Sequence, residues 1–184
     1  RDRRLARRSD QQRRYPRKSD TVAGADSLRT DLSSQLLARA LLTNLLLPAL
    51  RGPTARITNV ASAAHHAATL DVNDLAFDRR RYSATDAYAE SKLAVVTYSS
   101  WLADRIEPTV VSVHPGVIST ALLHSMFGTG GAPVDGGGAN LTAAIDVAVP
   151  TGTYLDERWP TQPNPQALDP EVQRRLRDAA AELA

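Results

Sequence analysis

Three features of the sequence predict an α/β fold built on a parallel sheet. Two short stretches rich in β-branched residues, 55–60 (ARITNV) and 109–114 (TVVSVH), read as strands. Longer helical patterns over 31–50, 85–106 and 136–149 alternate with them. Each strand also runs straight into chemically suggestive residues, Ser62 after the first and Pro115-Gly116 after the second. Open parallel sheets place their ligands at that carboxyl edge.

Residues 1–30 come first and match none of this. They are expected to form a disordered basic tail, because no apolar periodicity runs through RDRRLARRSDQQRRYPRKSD. The first twenty residues hold nine basic and three acidic groups, so the pI near 9.2 comes from the tail and the remainder is mildly acidic. An arginine-rich arm for nucleic acid is one reading. It is disfavoured, since Tyr15 is the single aromatic there. A targeting peptide is another, opposed by Asp2, Asp10 and Asp20 and by the missing apolar core. A solvated tail, or sequence foreign to the fold, is preferred.

The 31–50 helix would be capped by Thr30 or Asp31 and ended by Pro48 and Gly52-Pro53. Leu36, Leu37, Ala40, Leu41, Leu45 and Leu46 surround most of its circumference, which predicts burial on more than one side. Arg39, Thr43, Asn44 and Pro48 interrupt the run, which is too short and polar for a membrane span. Residues 63–84 read as a long polar connection. It carries His65 and His66, which are expected at the surface, with no third ligand at a metal-like spacing and so no metal site. Residues 126–133 (MFGTGGAP) suggest a flexible loop or lid. Residues 152–155 suggest a third strand, followed by a proline-rich turn (Pro160, Pro163, Pro165). A last helix spans 169–183, with Pro170 at its first position. With no cysteine, disulfides and thiolate metal sites are excluded, which fits a reducing, cytoplasmic location.

The 85–106 helix carries Tyr88-Ala-Glu-Ser-Lys92. Four residues apart, Tyr88 and Lys92 share one helical face. A phenol beside a fixed ammonium is suited to proton transfer, since a nearby positive charge favours the phenolate. Lys92 is also the one lysine beyond residue 20, in a chain with twenty arginines. A bare Tyr-x-x-x-Lys spacing arises by chance often enough to carry little alone. Its neighbours in sequence give it weight.

A strand ending in Asn59-Val60-Ala61-Ser62, a Tyr88-x-x-x-Lys92 helix and a strand ending in His114-Pro115-Gly116, with Thr120 beyond, together resemble the short-chain dehydrogenase/reductase family. The segment LLTNLLLP over 41–48 is similar to that family's interface helix, and the resemblance covers about 35–184. The twenty-six residues from Ser62 to Tyr88 resemble the retinol-dehydrogenase-like and protochlorophyllide-reductase-like branch. The resemblance implies a Rossmann-like fold with 31–184 as the catalytic part. It implies an NAD(P)-dependent oxidoreductase that interconverts a carbonyl and an alcohol, with NADP slightly favoured over NAD. The substrate would be a small, lipophilic molecule. A homo-oligomer would form through the 31–50 and 85–106 helices.

By matching position, Tyr88 would be the general acid/base. Lys92 would lower its pKa and bind the nicotinamide ribose. Ser62 would hydrogen-bond the substrate oxygen. Pro115, Gly116, the Ile118 main chain and the Thr120 hydroxyl would hold the nicotinamide end. Gln35 stands where the family usually carries a relay asparagine.

The family's glycine-rich turn after a first strand has no counterpart here: the first glycine is Gly24, and nothing before residue 55 reads as a strand. The expected fold is therefore an incomplete Rossmann-like one, truncated or misassigned at its N-terminal side. The 55–60 strand would be left with an open edge. The alternative reading is a catalytically silent remnant acting as an interaction module.

Overall fold

The computed structural model describes residues 32–182, apart from 76, 78 and 129. The basic segment 1–30 and the Thr30 or Asp31 cap lie outside the described residues. The chain runs through helix α1 (Leu32–Leu46), strand β1 (Arg56–Val60), helix α2 (Ala84–Ala103), strand β2 (Thr109–His114) and helix α3 (Ala121–Phe127). Helix α4 (Val134–Asp146), strands β3 (Tyr154–Asp156) and β4 (Trp159–Thr161) and helix α5 (Pro170–Glu182) follow.

The sheet order is β1-β2-β3-β4, with the first three strands parallel and β4 antiparallel to β3. This is the mixed α/β architecture expected, with parallel strands joined through helices. The side of β1 away from β2 pairs with no strand among the described residues. β4 occupies the proline-rich stretch expected to be a turn. Pro160 is tolerated there because β4 is an edge strand, where a missing N–H breaks no inner ladder.

Register decides which side chains meet which helices. Ile57 pairs with Val110, Asn59 with Ser112, and Ser112 with Tyr154. With period-two alternation these face α2, whereas Val113 and Leu155 pack with Ala144 of α4 on the other face. Arg56 secures that second face by donating to Ala144 O (3.0 Å) and Val147 O (2.8 Å) at the C-terminal end of α4, where carbonyls lack helical partners.

Helix α2 is the centre of the core. Every residue from Glu90 to Ser100 is buried, and Leu93, Ala94, Val95 and Val96 are fully so. Its polar residues are satisfied internally: Thr97 Oγ1 donates to Leu93 O, Ser99 Oγ to Val95 O, and Asn59 Nδ2 to Ser99 Oγ. The sheet covers one side, and α1, α5 and the 3₁₀ turns Ala63–Ala67 and Pro165–Leu168 pack around the rest.

Further expectations need correction. Helix α1 buries Leu36, but Leu41, Leu42, Leu45 and Leu46 are exposed, Leu45 by 69%. It therefore packs on one side rather than several, because α2 and α5 reach a single face of it. His65 is not at the surface but fully buried, because 63–67 winds into a 3₁₀ turn (Ala63–Ala67) that packs on α2 and sets the His65 ring against Tyr154. Finally, the stretch expected to be a loop over 126–133 begins inside helix α3, which runs to Phe127, and is tied at Ala132: Ser119 N donates to Ala132 O and Ala132 N to Val117 O, both at 2.8 Å.

Leu93→Ala is expected to destabilise the fold by about 2–5 kcal/mol through cavity formation. Leu42→Ala is expected to change it by about 0.5 kcal/mol or less, as an exposed site away from the core. Urea unfolding of both variants beside the parent measures the difference.

Candidate active site

A cleft of about 570 Å³ opens at the carboxyl ends of β1 and β2. All seven residues singled out in the sequence line it: Ser62, Tyr88, Lys92, Pro115, Gly116, Ile118 and Thr120. They come from two strand ends and a helix.

Ser62 follows β1 in an extended conformation (φ −160°) and caps the Ala63–Ala67 turn. Its Oγ accepts from Ala64 N at 3.2 Å, which leaves the hydroxyl hydrogen available to donate. The Ser62 carbonyl is held by the His65 N–H (3.1 Å) and by His65 Nδ1 (2.7 Å).

Tyr88 and Lys92 lie in the first half of α2, which begins at the Ser83 cap (Asp86 N to Ser83 Oγ, 3.3 Å). Lys92 Nζ stands 5.5 Å from the Tyr88 ring centre. Between them, Glu90 is gripped by both terminal nitrogens of Arg80, at 2.5 and 2.6 Å. That bidentate pair ties the 63–83 connection to the helix turn carrying the candidate catalytic residues.

The Lys92 side chain is 9% exposed and has no carboxylate partner among the described residues. Burial, helped by the positive charge of Arg39, pulls its pKa down from 10.5 to about 8. Arg39 donates to Gln35 O at 2.9 Å. So α1 delivers an arginine's charge toward Lys92, where sequence comparison drew attention to Gln35. The signal was present in the sequence: Arg39 is the one charge in the otherwise uncharged run 36–50.

The Pro115-Gly116 corner is braced from behind. Asn140 Nδ2 donates to Pro115 O (3.0 Å), Arg158 Nε to Asn140 Oδ1 (2.9 Å), and Glu157 N to His114 O (2.7 Å). Gly116 has φ +97°, and a Cβ there would come within 3.2 Å of Glu157 Oε1. Beyond it, Ile118 lies opposite Ala132 in a single parallel bridge whose hydrogen bonds use the backbones of Val117 and Ser119. The Ile118 main-chain groups take no part in those two bonds. The Ile118 side chain rests against Gly137, where a Cβ would sit 2.8 Å from its Cγ1. Thr120 Oγ1 accepts from Leu123 N (3.2 Å) as the cap of α3 and keeps its hydrogen to donate.

His114, seen in the sequence as the residue before Pro115, also lines the cleft. Burial lowers its pKa, against the raising influence of Asp156 and Glu157. Its Nδ1 has no partner among the described residues. The rest of the lining is largely apolar and includes Val60, Val117, Leu122, Leu123 and Met126.

The lining as a whole fits the nicotinamide-ribose end of a dinucleotide. It combines a buried cation, three hydroxyl groups and an apolar wall. Among the described residues no glycine-rich turn leads from a strand into a helix at this cleft, so the pyrophosphate end has no matching cradle there. No group of three or more His, Asp or Glu side chains among the described residues is placed to hold a metal ion. None of the described helices is long and apolar enough to cross a membrane.

No protein-family model matches the chain. Curated proteins do. Human retinol dehydrogenase 13 is 34% identical over 80% of this chain and 51% of its own length. Mouse polyprenol dehydrogenase is 33% identical over 82% and 52%, and human retinol dehydrogenase 12 is 42% identical over 54% and 32%. A crystal structure of an uncharacterised protein from Mycobacterium paratuberculosis superimposes with a TM-score of 0.67 at 27% identity. The match covers 83% of this chain and 57% of that one. The chain thus spans about half the length of the curated relatives that match most of it.

Lys92→Met is expected to stabilise the fold near neutral pH. Below about pH 8 the amine is charged in both folded and unfolded chains, and its burial opposes folding. Between about 8 and 10.5 the unfolded chain holds a proton that the folded chain releases, so parent stability rises with pH. The advantage of Lys92→Met is therefore expected to be about 1–3 kcal/mol at pH 7 and to vanish above pH 10.5. Urea midpoints of both proteins across that range test it.

Proposed function

Because the chain belongs to the short-chain dehydrogenase/reductase family, we propose that its cleft carries out the acid–base half of an NAD(P)-dependent interconversion of a carbonyl and an alcohol. The observation that carries this reading is the convergence of Ser62, Tyr88 and Lys92 with Ile118 and Thr120 on one cleft.

A bound nicotinamide supplies the chemistry of hydride transfer to or from the substrate carbon. The chain's own residues do the rest. In the reducing direction the Tyr88 hydroxyl gives its proton to the carbonyl oxygen as negative charge builds there; in the oxidising direction the phenolate takes the proton back. The Ser62 hydroxyl donates to the same oxygen, its lone pair already anchored by Ala64 N–H, and so favours the developing charge. Lys92, whose Nζ stands 5.5 Å from the Tyr88 ring centre, favours the Tyr88 phenolate by its positive charge and would offer its ammonium to ribose hydroxyls. The Thr120 hydroxyl and the Ile118 main chain hold the carboxamide, and Pro115-Gly116 forms the floor, kept in place by Asn140.

A lipophilic carbonyl or alcohol suits the apolar wall formed by Val60, Val117, Leu122, Leu123 and Met126. It also agrees with relatives named for retinol and polyprenol. A second reading, an interaction module without turnover, draws support from the exposed leucines of α1.

The test is turnover of retinal and of a medium-chain aldehyde with NADPH or NADH, followed by loss of the reduced-nicotinamide absorbance. Tyr88→Phe is expected to reduce kcat at least about 100-fold, the scale of general acid/base catalysis, with cofactor affinity and melting temperature retained. Turnover unchanged in Tyr88→Phe contradicts the acid/base role. A folded parent without turnover or cofactor binding favours the interaction module.

A further inference from the structure

We infer that His65 is a positioning residue: its buried ring, locked in one neutral tautomer by Asn164, fixes where Ser62 presents its hydroxyl. The role attached to that hydroxyl rests on the function proposed above, but the positioning itself stands on geometry.

The His65 ring is fully buried. Nδ1 lies 2.7 Å from Ser62 O, which is a carbonyl and can only accept, so the ring proton sits on Nδ1. Nε2 lies 3.3 Å from Asn164 N, whose N–H can only donate, so Nε2 offers its lone pair. Both ring nitrogens thus have partners that specify the same neutral form. A second proton would set an Nε2–H against the Asn164 N–H. Burial agrees in direction, pushing the pKa of His65 down to about 4. The titratable and charged groups around the ring are His66, Tyr154, His114 and Asp156.

The lock reaches far along the chain. Asn164 Nδ2 also donates to His65 O (3.1 Å) and Ala68 O (2.9 Å), while its Oδ1 accepts from Gln166 N (3.0 Å). Gln166 Oε1 in turn accepts from Leu70 N (2.9 Å). The Ser62 turn is therefore held by a segment about 100 residues downstream that itself packs on α2. The Ser62 carbonyl takes two bonds from His65, one from its backbone and one from its ring. Removal of the ring bond frees the Ser62 peptide to rotate and moves Oγ away from Ala64 N. A displacement of this kind in a group that touches the substrate can reduce turnover about 100-fold without loss of binding.

His65→Asn keeps an amide donor near the Nδ1 position, whereas His65→Gln places its amide near Nε2 and loses that donor. In His65→Gln the Ala64 amide, protected by Ser62 Oγ, is expected to exchange with solvent about tenfold faster or more, with His65→Asn close to the parent. In turnover assays His65→Gln is expected to lower kcat about 10- to 100-fold at unchanged cofactor affinity. In a Ser62→Ala background the same change is expected to cause little further loss, because both act through one hydroxyl. Unchanged Ala64 exchange, or an undiminished effect of His65→Gln in the Ser62→Ala background, overturns the inference. Nitrogen-15 spectra of the unsubstituted protein give a readout independent of any variant's folding: a protonated Nδ1 and bare Nε2 are expected, and the opposite tautomer contradicts the lock. A parent that never turns over refutes the proposed function and leaves the exchange and tautomer measurements to decide this point.

Discussion

The structure depends on one constraint: α2 is buried on nearly every side and still has to carry a lysine. A helix covered by a sheet, two other helices and two 3₁₀ turns can be placed with little play, which catalytic geometry requires. The same enclosure takes the Lys92 ammonium out of water with no carboxylate beside it among the described residues. A purely structural lysine in such a position would oppose folding for no return. A lysine here, the one beyond residue 20 in a chain with twenty arginines, fits a role for a compact, titratable cation.

Around that helix, the cleft is built from contacts that lie behind it. Arg80 and Glu90 hold the long connection against the first turns of α2. Asn140 and Arg158 hold the Pro115-Gly116 corner. His65 and Asn164 hold the Ser62 turn. The last two braces join segments far apart in sequence, Asn140 to Pro115 and Asn164 to His65. The residues that face the cleft are therefore positioned by a second layer drawn from α4, the β3–β4 hairpin and the approach to α5. The C-terminal third of the chain shapes the site although few of its residues line it.

Much of this was legible in the sequence, because local pattern carries it. β-branched runs announced β1 and β2, strand ends drew attention to Ser62 and Pro115-Gly116, and a four-residue helical spacing paired Tyr88 with Lys92, whereas Ile118 and Thr120 entered through the family resemblance; all seven line one cleft. What escaped was set by tertiary context. The leucines of α1 read as buried because periodicity reports an apolar face without saying whether anything covers it. His65 read as exposed because its partners lie 99 residues on, at Asn164. Helix α3 was hidden by the glycines that follow it, yet the Thr120 cap was a start signal in plain view. Strand β4 was concealed by Pro160, which an edge position accommodates. Arg39 was noticed as an interruption of an apolar run, and its approach to Lys92 became apparent only when α1 was packed on α2.

The proposed chemistry requires the cleft to receive the nicotinamide end of NAD(P). Titration of the isotopically labelled chain with NADPH and then NADH, with amide and methyl shifts followed residue by residue, tests it most directly. Saturable shifts are expected at Ser62, Ile118, Thr120 and the Tyr88–Lys92 turn, with α1 and α5 unmoved. Saturable shifts centred elsewhere, or none in a folded chain, would contradict it.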